Sequence, residues 1–195
     1  TIAIGTNAKA TGAYSTALGE GAIADQQSAT AIGGSTIANA TYTTAIGYNA
    51  EATQTEATAL GNGAIANGSR ATAIATGATA PNQSSIAIGY YAQATGYESI
   101  ALGPSAQATN YRGTSLGTST TATGLDSTAV GYSADATGPG ALALGVFANA
   151  SNDYAIAIGD ASKATAQYTT AIGWGANATA QDATALGNGA IASGS

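Results

Sequence analysis

Apolar and polar positions along this chain fall into columns that recur at every fourteenth residue. Ile4, Leu18, Ile32, Ile46, Leu60, Ile74, Ile88, Leu102, Leu116, Val130, Leu144, Ile158, Ile172 and Leu186 form one aliphatic column. Gly follows each of them except Ile74, where Ala75 stands, and Ala precedes each, with Ser115 the one exception. Before that Ala the chain reads Thr or Ile, and once Leu142. A second set of columns is as regular. Every fourteenth residue from Ala10 to Ala192 is Ala, and the position two residues earlier is mostly Ala, replaced by Thr36, Thr120 and Ser162. Between those two columns the residue varies freely, as Lys9, Ile23, Glu51, Gln93, Asp135 or Asn177. A constant column beside a variable one has period 2, which predicts strand. The unit is therefore strand, Gly turn, strand, polar turn. Helix competes because Ala is so common, and fails because Gly recurs throughout and the alternation is not 3.6.

Two short strands and two tight turns in each such period describe one flat coil of a β-solenoid. Coils stacked at the strand spacing predict a rod on the order of 65 Å long. Gly after each long strand suits a turn with positive φ or a close backbone approach, so Ala75 is expected to be mildly strained. The simplest packing puts the Ala columns inside a thin roll and turns the Ile/Leu column outward, flanked by Thr. The opposite arrangement, with Ile and Leu inside and Ala in solvent, wastes the constant Ala columns. An outward aliphatic stripe of this length exceeds the few hundred Å² that a monomer normally exposes. It needs a partner, and its uniformity points to copies of the same chain in register.

Composition narrows what such a roll can do. The 195 residues hold 4 basic and 10 acidic side chains, a net charge of −6, and a charged fraction of 7% against about 25% in an average domain. Four cations cannot supply the phosphate contacts that dominate nucleic-acid affinity. With no Cys and no His, disulfides, thiolate catalysis, Cys/His zinc sites and His general bases are excluded. No segment approaches the roughly 20 apolar residues of a membrane helix, so no direct membrane insertion is expected. No catalytic constellation or cofactor motif is readable. Glu20 and Asp160 share a column, as do Glu51 and Asp135, but the members of each pair lie many coils apart. No aspartates recur coil after coil as in calcium-binding solenoids, so no metal site is expected.

Two patterns remain. Glu56 and Arg70 stand one coil apart, as do Glu98, Arg112 and Asp126, which predicts ladders of alternating sign that support the register. The aromatics fall in turns: Tyr48, Tyr90, Tyr91, Tyr132, Phe147 and Trp174 after the Gly, and Tyr14, Tyr42, Tyr97, Tyr111, Tyr154 and Tyr168 in the opposite turn. They either cover coil edges or anchor a protein ligand, as exposed Tyr and Trp do in interfaces. Tyr90, Tyr91, Tyr97, Tyr111 and Arg112 are the densest group and the candidate ligand-binding residues.

Units such as STALG at 15–19, TTAIG at 43–47, SIALG at 99–103 and STAVG at 127–131, most followed by xxAxA, resemble the head repeats of trimeric autotransporter adhesins, the YadA-like head. The resemblance covers the whole chain. It implies an all-β, left-handed parallel β-roll, assembled as a homotrimer through the Ile4-to-Leu186 column and displayed on a Gram-negative cell surface. It implies attachment to host cells or extracellular-matrix proteins and no enzymatic activity. Residues 1–195 are then a single head domain of about fourteen repeats. Neck, stalk and membrane anchor are missing, so a fragment is expected. Thr stands at most positions where the family often has Val or Ile, which makes the seam less apolar. An ice-binding solenoid is the alternative, using Thr16, Thr30, Thr44, Thr58 and Thr72, but that column is broken by Ile86, Ile100, Leu142 and Ile156. Hexapeptide-repeat acyltransferases would need six-residue sub-periods and a catalytic His, and the sequence has neither.

Overall fold

The computed structural model describes residues 1–194. It divides into two units, Thr1–Glu98 and the stretch from Ser99 onward, each with its own interior. Both are parallel β-solenoids of 14-residue coils without helix. In the first unit seven long strands, Ile2–Ile4, Thr16–Leu18, Thr30–Ile32, Thr44–Ile46, Thr58–Leu60, Thr72–Ile74 and Ile86–Ile88, stack in chain order. Five short strands, Lys9–Ala10, Ile23–Ala24, Ile37–Ala38, Glu51–Ala52 and Ile65–Ala66, form the other wall. The second unit repeats the plan with long strands from Ile100–Leu102 to Thr184–Leu186 and short ones from Gln107–Ala108 to Ile191–Ala192. Every pairing joins residues one period apart, as in Thr16 with Thr30 and Asp135 with Asn149. Like side chains are thereby stacked on like.

Burial settles which way the columns face. Ala17, Ala31, Ala45 and their successors on the long strands are fully buried, and so are Ala24, Ala38 and Ala52 on the short ones. The aliphatic column is turned outward: Leu60 is 41% exposed, Ile88 38% and Leu116 44%, although each is covered by coils on both sides. The outward placement read from the sequence is therefore correct.

The interior holds one column more than the sequence reading found. Ser15, Ala29, Thr43, Ala57, Ala71, Ser85, Ser127, Ala141, Ala155 and Thr169 stand just before the long strand and are buried. A buried hydroxyl needs an acceptor, and these find one three residues back: Ser15 Oγ donates to the Gly12 carbonyl at 2.7 Å, Ser85 to Asn82 at 2.6 Å, and Ser127 to Gly124 at 2.7 Å. Ser115, the exception in the long-strand Ala column, is answered within its own coil. Its Oγ lies 2.6 Å from Thr120 Oγ1 and 3.0 Å from the Thr120 carbonyl, and Thr120 Oγ1 in turn donates to the Gly117 carbonyl at 2.9 Å. Two polar departures from Ala therefore satisfy each other.

Each coil turns twice through a four-residue bend closed by a backbone bond, such as Ala8 N–H to Gly5 O at 3.1 Å and Ser15 N–H to Gly12 O at 3.2 Å. The third residue of each bend has positive φ whatever its type, including Asn7, Ser35, Tyr91 and Phe147 in one turn and Tyr14, Arg112 and Tyr154 in the other, at 51–60°. Gly and Asn, which tolerate this conformation best, recur in the first of these turns, whereas the second takes Tyr, Glu, Arg and Asp.

Two local departures have identifiable causes. Ala75 replaces the column Gly and sits at φ 97°, whereas the glycines of its column lie at 122–143°, so the strain expected there is present. Replacing Ala75 with Gly is expected to stabilise the fold by about 1 kcal/mol, measurable as a higher denaturation midpoint. In the same coil the short strand is reduced to isolated bridges, Thr79 with Ile65 and with Gln93. Pro81 stands where Thr11 donates its N–H to the Ala24 carbonyl in an ordinary coil, and proline has no N–H to give.

Candidate functional site

Three surfaces of the coil are available for chemistry or recognition: the outward face of the long strands, the outward face of the short strands, and the two turn edges. The interior offers nothing, because Ala, Ser and Thr fill it. No cavity opens among the described residues, and no group of three potential metal-binding side chains forms among them.

On the long-strand face each unit presents a row of Ile and Leu beside a half-buried row dominated by Thr. In the first unit this face carries Ile4, Leu18, Ile32, Ile46, Leu60, Ile74 and Ile88. In the second it carries Leu102, Leu116, Val130, Leu144, Ile158, Ile172 and Leu186. The register makes both rows continuous within their units. The Thr row stays interrupted by Ile86, Ile100, Leu142 and Ile156, and nothing in the structure strengthens an ice-binding reading.

The short-strand face differs between units. In the first it bears Ile23, Ile37, Glu51 and Ile65, and in the second Asp135, Asn149, Lys163 and Asn177. Thr53 Oγ1 donates to Asn67 Oδ1 at 2.7 Å, tying two coils. Burial without a compensating cation holds the Asp135 carboxyl above its usual range. Its Oδ1 has no partner, and Oδ2 accepts only a 3.5 Å bond from Asn149 Nδ2. A folded-state pKa above the unfolded value means that the folded protein binds more protons. This group therefore penalises stability as pH rises through and beyond the ordinary Asp range. Asp135→Asn is expected to raise the thermal midpoint slightly at neutral pH, with the gain vanishing below pH 3.8, as a pH series of melts would show.

All the turn aromatics are exposed, from Tyr111 at 41% to Tyr14 at 80%, and they interact along the coil stack. The Tyr91 ring lies over Gly77, and the Tyr154 ring over Gly140, each one coil earlier, where a Cβ would come within 2.5 and 2.7 Å of the ring. Tyr154 and Tyr168 stack in parallel at 5.5 Å, and Tyr132 and Phe147 meet edge to face at 5.4 Å. Glycine thus seats a ring from the next coil, a pairing that the sequence reading missed. Its signal is Gly and Tyr one period apart.

The five candidate ligand-binding residues are divided between the two units, Tyr90, Tyr91 and Tyr97 in the first and Tyr111 and Arg112 in the second. In the first unit Tyr90 and Tyr91 meet edge to face at 4.4 Å on the turn after the Gly, while Tyr97 stands on the opposite turn of the same coil. In the second unit Arg112 lies 4.9 Å over the Tyr111 ring and forks onto Asp126, Nε to Oδ1 at 2.6 Å and Nη2 to Oδ2 at 2.9 Å. That bidentate pair bears out the Arg112–Asp126 step of the charge ladder. Glu56 and Arg70 form no ion pair among the described residues, so the corresponding step in the first unit is absent.

The family model for the YadA head domain repeat matches residues 1–22, 24–50, 52–74, 76–92, 80–106, 94–120, 108–134, 136–162, 150–176, 164–190 and 178–195. A comparison with curated proteins finds no match to the chain. Matches that tile nearly every residue, on a fold of 14-residue parallel coils with outward aliphatics, leave one assignment: the chain belongs to the YadA head domain repeat family and is a head domain of the trimeric autotransporter adhesin type.

Proposed function

We propose that this head assembles as a homotrimer through its outward Ile/Leu columns and attaches a bacterium to host cells or to extracellular-matrix proteins. The observation that carries the reading is the uncovered aliphatic row of each unit, left 38–44% exposed at Leu60, Ile88 and Leu116. A row of that length on a soluble chain calls for a partner, and family membership supports two further copies of the chain as that partner. The columns run without a slip through Glu98 and Ser99, which supports reading 1–195 as one head domain. Anchoring in the outer membrane would come through regions outside this chain.

In this reading the head works by repetition. The same coil recurs along the chain and three times around the assembly, so weak contacts to its turns and short-strand face sum by multivalency, by about 10²–10⁴ over a single contact. No residue needs to act as a catalyst or hold a cofactor. Surface plasmon resonance against collagen, fibronectin and laminin tests the ligand class. Binding to at least one, with avidity lost when the trimer is split, is the expected result. Failure to bind any host-cell or matrix protein overturns the adhesive role.

A further inference from the structure

The turn aromatics come in matched sets. Tyr48, Phe147 and Trp174, in the turn after the Gly, each have an aromatic six or seven residues away in the opposite turn, namely Tyr42, Tyr154 and Tyr168. Tyr132 has Leu125 there, and Tyr90 and Tyr91 have Tyr97. All of these side chains are exposed. The members of a set sit at opposite edges of the roll, because a strand lies between them. Tyr168 and Trp174, for example, flank the long strand Thr170–Ile172, and the extended chain holds them more than about 13 Å apart. Trp174 is 63% and Tyr168 50% exposed. The Tyr168 ring stacks on Tyr154 of the preceding coil, whereas Trp174 has no ring contact among the described residues. Matching from edge to edge therefore serves nothing inside one chain.

Between copies it has a use. A three-fold ring repeats a single contact, in which one surface of a copy meets a different surface of the next. The long-strand face is a strip with a turn at each end. Closing three such strips with their aliphatic columns inward brings the turn after the Gly on one copy to the opposite turn of the next. A three-fold axis along the coil stack keeps equal heights, so Trp174 arrives beside Tyr168 of the partner subunit. We propose that the matched turn aromatics form a second seam between copies of this chain, with Trp174 packed against Tyr168 of the partner subunit. The seam supplies what the aliphatic column lacks, a fixed height. The column is uniform, so a slip of one coil at each contact would still bury it, but would open the ring into a spiral. The same slip sets Tyr48 against Ser28 or Glu56 in place of Tyr42. The short-strand face and the coils without a matched set stay open to ligand. The inference rests on the three-copy assembly proposed above and adds the contact that fixes its register.

The chain has no Cys, so introduced thiols report alone. Tyr168→Cys combined with Trp174→Cys is oxidised and run on a denaturing gel without reductant, beside each single variant. A disulfide needs Cα atoms within about 7 Å, so the two cysteines cannot join inside one chain. The expected result is a covalent trimer from the double variant and single chains from both controls. Dimers from either control would mean that like turns meet, and would overturn the seam. So would a double variant that stays unlinked while sedimentation gives three chains, and the aliphatic seam would then stand without this one. Sedimentation as one chain would overturn the assembly and this seam together. Fluorescence gives a second readout without cysteines, because Trp174 is the sole tryptophan. Tyr168→Ala is expected to move its emission to the red in the assembled head and to leave it unmoved in a dissociated Ile158→Glu/Ile172→Glu head. No shift in the assembled head, or the same shift in both, would overturn the packing of Trp174 on the partner subunit's Tyr168.

Discussion

Gly145→Ala is expected to destabilise the head by about 3 kcal/mol or more, lowering its thermal midpoint by about 10 °C. Two costs add at this position. The backbone sits at φ 137°, outside the conformations that L residues adopt readily. An added Cβ would also stand 2.5 Å from the carbonyl oxygen of Gly159 and 2.7 Å from its carbon. Those atoms are backbone of the next coil, held by their own ladder bonds, and cannot swing aside as a side chain could. The contrast is Ala161→Gly, in the same turn sequence at φ 54°, where the smaller residue is expected to be neutral or to add up to about 1 kcal/mol. Differential scanning calorimetry of the pair checks both signs. A Gly145→Ala protein that melts with the parent would show that close coil approach does not hold this column to glycine. Ala75 marks the limit of tolerance: one coil accepts Cβ there by moving its backbone to φ 97°.

Ile158→Glu combined with Ile172→Glu is expected to split the assembly while leaving each chain folded. Both side chains point outward from the long strands and are half-buried in the single chain, so the coil interior, made of Ala, Ser and Thr, is untouched. In a trimer the substitutions place carboxylates in a desolvated seam without partners, a cost of several kcal/mol per interface. That is a rise of at least about 10³-fold in dissociation constant. Circular dichroism should keep its β signature while light scattering falls to the mass of one chain. Lys163→Glu, on the exposed short-strand face, changes charge as strongly and should leave the assembly intact. A double variant that stays associated would place the seam on another surface.

The coil was legible in the sequence because its constraint is severe. A roll too thin for anything larger than Thr forces Ala17, Ala24 and their columns to stay small, and coil-to-coil contact keeps the residue after each long strand glycine. Those two demands repeat in every coil, and their constancy reveals the architecture, the register and the outward aliphatic column. What escaped reading lay where several residue types satisfy one requirement. The buried column of Ser15, Ala29 and Thr43 looked like polar turn, because a hydroxyl that donates to the carbonyl three residues back is as acceptable inside as Ala. Pro81 dissolved a strand by lacking one N–H, a loss that the column pattern does not register.

The functional surface was less legible for a related reason. Outward positions are constrained by partners, and the partners are not in the chain. Tyr90, Tyr91, Tyr97, Tyr111 and Arg112 looked like one cluster by proximity in sequence. Within the first unit the coil puts Tyr90 and Tyr91 on one turn and Tyr97 on the other, since half a period carries the chain from one edge to the other.

Ala inside and Ile/Leu outside leaves each chain with an aliphatic face that the proposed assembly covers with further copies in register, and sedimentation equilibrium of the unmodified head puts that proposal to the test. A single species with the mass of three chains is expected, independent of loading concentration in the micromolar range. A stable monomer would contradict it.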